Sequence, residues 1–225
     1  EESFLTDNSI IEFLKVRGSY GLTGNSEIGN YDAFSLYTGQ GYAGLPGQRP
    51  LQIANPDLRW EQTAQTDIGI DFGILNSRIS GQLDYYIKQT SDLLLNVNLP
   101  GTTGVARTQT RNVGDLENKG FEIVINTENL VGDFKWSTSF NFARNENKIT
   151  NLGDQVIEGS FFSRAMEGEP IGVFFGVKYA GVDPANGDAL YYTLDTNGEL
   201  ITTNDYNAAE FMKIGDPNPN VIWGM

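Results

Sequence analysis

Residues 55–95, NPDLRWEQTAQTDIGIDFGILNSRISGQLDYYIKQTSDLLL, decide how the rest of the chain is read. From Ile68 the apolar side chains fall on every second position, Ile68, Ile70, Phe72 and Ile74, while Asp67, Gly69, Asp71 and Gly73 take the alternate face. That is the period of a β-strand. After the turn-forming Asn76, Ser77 and Arg78 the alternation resumes, with Ile79, Leu83, Tyr85 and Ile87 on one face and Ser80, Gln82, Asp84, Tyr86 and Lys88 on the other. Two long strands joined by a tight turn predict an antiparallel hairpin. Its apolar face needs either a second sheet or lipid against it. A soluble strand usually runs about five or six residues and a membrane-crossing one about nine to eleven, and these strands run past the soluble mode.

The same alternation recurs on both sides. Strands are expected near 12–24, 59–74, 79–95, 117–129 and 134–150, with the start of a further one at 221–225. In the first, Leu14, Val16, Tyr20 and Leu22 face one way; in the last pair Phe121, Ile123 and Ile125, then Phe134, Trp136, Thr138, Phe140 and Phe142, do so. Short turns fall near 75–78 and 131–133, whereas long connections occupy 25–58, 96–115 and 153–220. Along alternating strands this sends every short turn to one side and every long loop to the other, the asymmetry of an outer-membrane barrel with short periplasmic turns and long extracellular loops. Within 153–220, Asp195-Thr196-Asn197-Gly198 between two apolar runs predicts a hairpin through its Asn-Gly, and Ile171–Tyr179 reads as another extended piece.

A Lys or Arg at the bilayer midplane costs about 2–4 kcal/mol, and none is expected through the middle of each strand on the faces carrying Val16, Ile68, Leu83, Ile123 and Phe140. Trp60, Tyr85, Phe134 and Trp136 near strand ends suit interfacial girdles. The alternative, a soluble carbohydrate-binding β-sandwich, would bury those same faces against each other.

With 26 glycines and 8 prolines the composition is that of an all-β chain rich in turns. A net charge of −14 argues against a nucleic-acid partner. Cysteine and histidine are both absent, which removes disulfides, thiolate and Ser-His-Asp chemistry and His- or Cys-ligated metals from this stretch; no enzyme activity and no cofactor are expected. The opening EESFLTDNSI lacks the basic-then-apolar build of a signal peptide, so export, if it occurs, depends on residues outside this stretch.

NPDLRWEQTAQTDIGIDFG, together with LKVRGSYGLTGNSEIGNY, YYIKQTSDLLL, NVGDLENKGFEIVI and GDPNPNVIWG, resembles the C-terminal half of the SusC/RagA family of TonB-linked outer-membrane transporters of Bacteroidota. The resemblance implies an all-β, antiparallel segment of a large transmembrane barrel, residues 1–225 being part of the barrel domain. It also implies that the plug, TonB box and signal peptide belong elsewhere, and that TonB, a SusD-like surface lipoprotein, outer-membrane lipid and a glycan, oligosaccharide or peptide substrate are the partners.

Several residues are candidates for function. Lys15, Arg17, Asp67, Asp71, Asp84, Lys88, Glu122 and Lys135 fall on the polar face, which a barrel turns to its lumen. Their mixed signs suit cross-strand pairing and solvation of the wall as well as substrate contact. Asp67 and Asp71 stand about 13 Å apart by strand rise, too far for a catalytic carboxylate pair. The loop aromatics Tyr31, Phe34, Tyr37, Tyr42, Tyr191 and Tyr192 are candidates for stacking on a substrate or a lid protein. Asp183, Asn186 and Asp188 in DPANGD group oxygen ligands that calcium accepts, although Asp-Pro and Asn-Gly are also ordinary turn chemistry.

Overall fold

A computed structural model describes residues 10–103, 108–153, 157–158 and 162–224. Met225, at the end of the strand expected over 221–225, lies outside them. The chain opens with β1 (Ile11–Asn25). A small hairpin, β2 (Leu36–Gly39) and β3 (Gln48–Gln52), precedes β4 (Glu61–Ile74), which turns at once into β5 (Ile79–Ser91). A second small hairpin, β6 (Leu94–Asn98) and β7 (Thr108–Asn112), precedes β8 (Asp115–Val131), which turns into β9 (Lys135–Asn151). Seven short strands follow: β10 (Ile157–Glu158), β11 (Ser163–Ala165), β12 (Val173–Val177), β13 (Tyr179–Val182), β14 (Ala189–Leu194), β15 (Leu200–Thr203) and β16 (Phe211–Gly215). The last described strand is β17 (Ile222–Gly224). Among the described residues no helix is long and apolar enough to cross a membrane.

The chain divides into two compact units, residues 1–153 with 218–225, and residues 154–217. The first is built on one antiparallel sheet in the order β1-β4-β5-β8-β9-β17. Strands β1, β4, β5, β8 and β9 run 13 to 17 residues, beyond the roughly five or six of a soluble strand. Side chains in register form continuous rows. Val16, Ile70, Leu83, Ile123, Phe142 and Trp223 cross all six strands on one face. The next row on the opposite face is Arg17, Gly69, Asp84, Glu122, Ala143 and Ile222. A one-residue slip in any strand would exchange the two rows, so the register is strongly specified.

The short-turn end is sewn by its own polar groups. Leu75, Asn76 and Ser77 take left-handed φ between β4 and β5. Arg78 donates through Nη2 to the carbonyl of Asn129 at 2.9 Å, and Glu128 N–H donates to the Arg78 carbonyl at 2.8 Å. The turn of one hairpin is thereby tied to the end of the next.

Three readings of the sequence change. The strand expected over 79–95 breaks at Asp92, whose φ is 57°, and Leu94 starts a new strand in a different sheet. The connections 25–58 and 96–115 are not plain loops: they carry β2–β3 and β6–β7. Over Ile171–Tyr179, two strands of different sheets replace the single extended piece.

In the second unit β10-β11-β12-β16 and β13-β14-β15 form two antiparallel sheets, with Val173 fully buried. Hairpin β14–β15 closes over Asp195–Gly198 as the Asn-Gly indicated, but only Gly198 is left-handed, at φ 81°. The Asp195 side chain supplies the rest, accepting the N–H of Asn197 and of Glu199, both at 2.8 Å.

Candidate functional site

The apolar face of the six-stranded sheet is uncovered. Val16 is 70% exposed, Ile68 54% and Leu83 39%, so among the described residues no second sheet lies on it and the sandwich alternative falls. The edge of its apolar band is oblique. Towards the long connections, apolar side chains continue to Leu22 on β1, Ile87 on β5, Phe121 on β8 and Phe142 on β9, with one step out of line where β4 stops at Ile68. Measured along β1, the edge drops six residues over four strand steps, from Leu22 to Val16, the row that holds Phe142. At about 3.3 Å per residue and about 4.8 Å between strands, this is a slope of about 45°. It matches the tilt of roughly 35–45° at which strands cross a bilayer in a barrel. Phe134 and Trp136 are exposed at the short-turn end and Trp60 at the other, as two interfacial girdles require.

The opposite face is polar and bonded. Arg17 Nε donates to both carboxylate oxygens of Asp71 at 3.0 Å, and its Nη2 donates to Asp84 Oδ1 at 2.8 Å. It reaches across β4 because Gly69 stands between: a Cβ there would lie 2.8 Å from the guanidinium carbon and closer still to Asp84. The same device recurs one hairpin on. Tyr86 of β5 lies over Gly120 of β8, where a Cβ would be 2.7 Å from Tyr86 Oη and 2.6 Å from the Arg144 carbonyl, and it donates to Asn145 Oδ1 of β9 at 3.0 Å. Asp67 accepts from Ser19 Oγ at 3.1 Å and Gln65 Nε2 at 2.9 Å. Lys88 Nζ stands 5.3 Å from the Tyr86 ring centre. Lys15 is opposite Asp71, Glu122 is opposite Asp84, and Lys135 starts β9 at the short-turn end. Of the eight residues singled out on this face, three therefore meet directly: Arg17, Asp71 and Asp84. The two spanning glycines were not singled out, although each is an inward glycine facing a long polar side chain across the strand pair.

At the long-connection end, the two small hairpins are stitched together. Asn55 Nδ2 donates to the Thr110 carbonyl at 2.8 Å, and Gln109 Nε2 donates to the Ala54 carbonyl at 2.7 Å. The Arg59 N–H donates to Asn112 Oδ1 at 2.7 Å, and Asn112 Nδ2 donates back to the Arg59 carbonyl at 2.8 Å. Gln52 Nε2 binds the carbonyls of Tyr31, Asp32 and Phe34. Leu93, Val97, Ile149 and Leu152 are buried in this unit. The frame holds four of the candidate aromatics outward: Tyr31, Phe34, Tyr37 and Tyr42 are all largely exposed, with Tyr31 and Phe34 at 6.5 Å between centroids.

The other two candidates lie in the second unit. Tyr191 packs edge-on between Tyr179 at 6.3 Å and Tyr206 at 5.3 Å. Tyr192, next along β14, takes the other face, with Lys178 Nζ 5.5 Å from its ring centre. Alternation thus denies these neighbours a common surface. In DPANGD, one oxygen of each of the three side chains serves the turn and its surroundings: Asp183 Oδ1 accepts from the Ala185 N–H, Asn186 Oδ1 from the Asp188 N–H, and Asp188 Oδ2 from both Asn186 and Asn204. Among the described residues no group of three His, Cys, Asp or Glu side chains is placed to hold a metal.

Long tilted antiparallel strands with one face matched to lipid, the other polar, and all long connections at one end define a segment of a transmembrane β-barrel wall. The family model of TonB dependent receptor-like β-barrels matches residues 6–218, and the chain belongs to that family of outer-membrane proteins. TonB-dependent receptor P3 of Formosa agariphila is 38% identical across all of this chain and 25% of its own length. SusC of Bacteroides thetaiotaomicron is 40% identical over 68% of this chain and 16% of its own. The solved RagAB peptide transporter superposes with a TM-score of 0.84 at 30% identity, covering 99% of this chain and 25% of that one. The chain spans about a quarter of the length of TonB-dependent receptor P3 and of the RagAB chain, and about a sixth of SusC; among the described residues β1 and β17 are the edge strands of the six-stranded sheet.

Proposed function

We propose that this chain is one stretch of the barrel domain of an outer-membrane active transporter that imports peptides, oligosaccharides or other glycans. TonB energises it through a plug encoded outside this stretch, and a SusD-like surface lipoprotein covers the extracellular hairpins. The protein moves its substrate without covalent chemistry. The observation that carries this reading is the oblique apolar band opposite a bonded polar wall, capped at one end only by folded hairpins. The kinship with SusC and with the RagAB peptide transporter supports the substrate and partner classes.

In this reading the β2–β3 hairpin and the second unit belong to the capture surface, with Tyr31, Phe34, Tyr37 and Tyr42 as its exposed rings and Tyr191 and Tyr192 on the two faces of a separate small sheet. The polar wall residues Lys15, Arg17, Asp67, Asp71, Asp84, Lys88, Glu122 and Lys135 line the passage or meet the plug. The test is uptake of labelled peptides and oligosaccharides by cells carrying the full-length receptor, with and without residues 26–58 and 154–217. Loss of uptake and of lipoprotein co-purification on deletion is expected. Retention of both would sink the assignment of the capture surface.

A further inference from the structure

On the lipid-facing side, the first side chain beyond the apolar band is a cation on both β8 and β9. Lys119 follows Phe121 and Arg144 follows Phe142, and the two rings lie 5.4 Å apart. One outward position further stand Glu117 and Glu146, paired with Lys119 at 3.6 Å and with Arg144 at 2.5 Å. The charge is therefore layered, cations at the hydrocarbon boundary and carboxylates beyond it. It is also local: the outward positions just beyond the band are Gly24 on β1, Thr66 and Ala64 on β4, and Gln89 and Ser91 on β5, none of them charged.

The patch lies towards the long connections, the extracellular side of an outer-membrane barrel, so it meets the outer leaflet. Lys119 faces Glu146, and Arg144 is its diagonal neighbour across the pair, at about 7–8 Å between Cα atoms. Both long side chains reach one headgroup from there by laying their stems on the aromatic rings and lifting the charge outward. About half of each cation's side-chain surface is exposed. An ion pair so exposed is weak, and a phosphate competes for its cation with charge-assisted hydrogen bonds. We propose that Lys119 and Arg144 form a clasp for the phosphate of an anionic lipid headgroup in the outer leaflet, continuous with the band that meets the acyl chains. This rests on the membrane placement of the sheet and is independent of what the transporter carries.

The test uses the full-length receptor in dodecyl maltoside, mixed with diphosphoryl lipid A and read by native mass spectrometry. Occupancy is expected to fall about fivefold or more in Lys119→Gln/Arg144→Gln, since each cation near a membrane surface contributes separately to anion attraction. Lys135→Gln, at the opposite end and on the opposite face, is expected to keep wild-type occupancy. Glu117→Gln/Glu146→Gln frees both cations and is expected to raise occupancy; this variant keeps the test decisive if the first fails to fold. Inorganic phosphate at the same concentration is expected not to bind. Undiminished lipid binding in the cation variant, no rise in the carboxylate variant, or phosphate binding equal to that of lipid A would each overturn the proposal.

Discussion

The two faces of the six-stranded sheet share every backbone hydrogen bond and differ in almost everything else. On one, Ile70, Leu83, Ile123 and Phe142 stand uncovered in a row; on the other, Arg17, Asp71 and Asp84 close a bonded group, and Tyr86 reaches Asn145. The difference teaches that stability is stored differently on each side. The outer face depends on the absence of charge in a solvent that cannot hydrate it, whereas the inner face depends on geometry, on particular side chains being able to cross a strand.

The sharpest way to break this contrast is to put one charge on each side of a single strand. Leu83→Arg and Gln82→Arg alter adjacent residues of β5, the first at the centre of the apolar band and the second on the polar wall. Leu83→Arg is expected to cost about 2–4 kcal/mol of folding free energy in lipid vesicles, read by urea titration of the heat-modifiable folded band. Gln82→Arg is expected to stay within about 0.5 kcal/mol. Equal costs would mean that the outer face does not meet lipid.

A smaller effect sharpens the inner side. Gly120→Ala drives a Cβ against Tyr86 Oη and the Arg144 carbonyl, and overpacking of this kind costs about 1–3 kcal/mol. Gly21→Ala, also inward on β1 but with nothing within 4 Å of the added carbon, is expected to be silent in the same titration. If both are silent, Tyr86 is free to rotate away and its bond to Asn145 contributes nothing.

What was legible in the sequence follows the same division. Alternation over 13 to 17 residues identifies the long strands, their two faces and the barrel class, because period two survives any error in register. Pairing across a tight turn was readable as well, since the turn after Ile74 sets Ile70 opposite Leu83. The pairings of β1 with β4 and of β5 with β8 were not readable, because the intervening chains are long and fix register by packing. Without them, neither the tilt of the band nor the roles of Gly69 and Gly120 emerge. Nor does the place of Arg144: it stands at the middle of β9 on the face expected to hold no cation there, and only the oblique edge of the band carries it, with Lys119, out of the apolar zone. The hairpins at the extracellular end carry no alternation long enough to announce them, for a related reason. Gln52, Gln109 and Asn112 hold them with side-chain amides bonded to distant carbonyls, a pattern with no sequence period.

The extracellular frame gives a local test of that last point. Gln109, 8% exposed, donates to the Ala54 carbonyl and accepts from Arg111 Nε at 2.7 Å. Gln109→Ala leaves those groups unpaired at about 1–3 kcal/mol, and the cost falls on docking of the hairpins while the barrel wall is spared. Limited proteolysis is expected to cut faster within residues 26–58, with the urea midpoint of the folded band unchanged. A shifted midpoint would show that the frame and the wall unfold together.

The smallest expected effect lies in the second unit, at the β14–β15 turn. Asp195 accepts the backbone N–H of Glu199 and then that of Asn197, and these bonds hold its carboxyl below the usual aspartate range. A group depressed on folding contributes stability that is present above its unfolded value of about 3.9 and is lost as pH falls through the lower folded value. Loosening of the turn is therefore confined to pH below about 4, and hydrogen exchange of residues 189–203, corrected for its intrinsic pH dependence, is expected to be flat from pH 5 to 9. Asp195→Asn keeps an oxygen to accept both N–H groups but cannot titrate, so it retains the hairpin and loses the acid limb. Exchange that varied between pH 5 and 9, or an acid limb that survived in Asp195→Asn, would assign the pH response to another group.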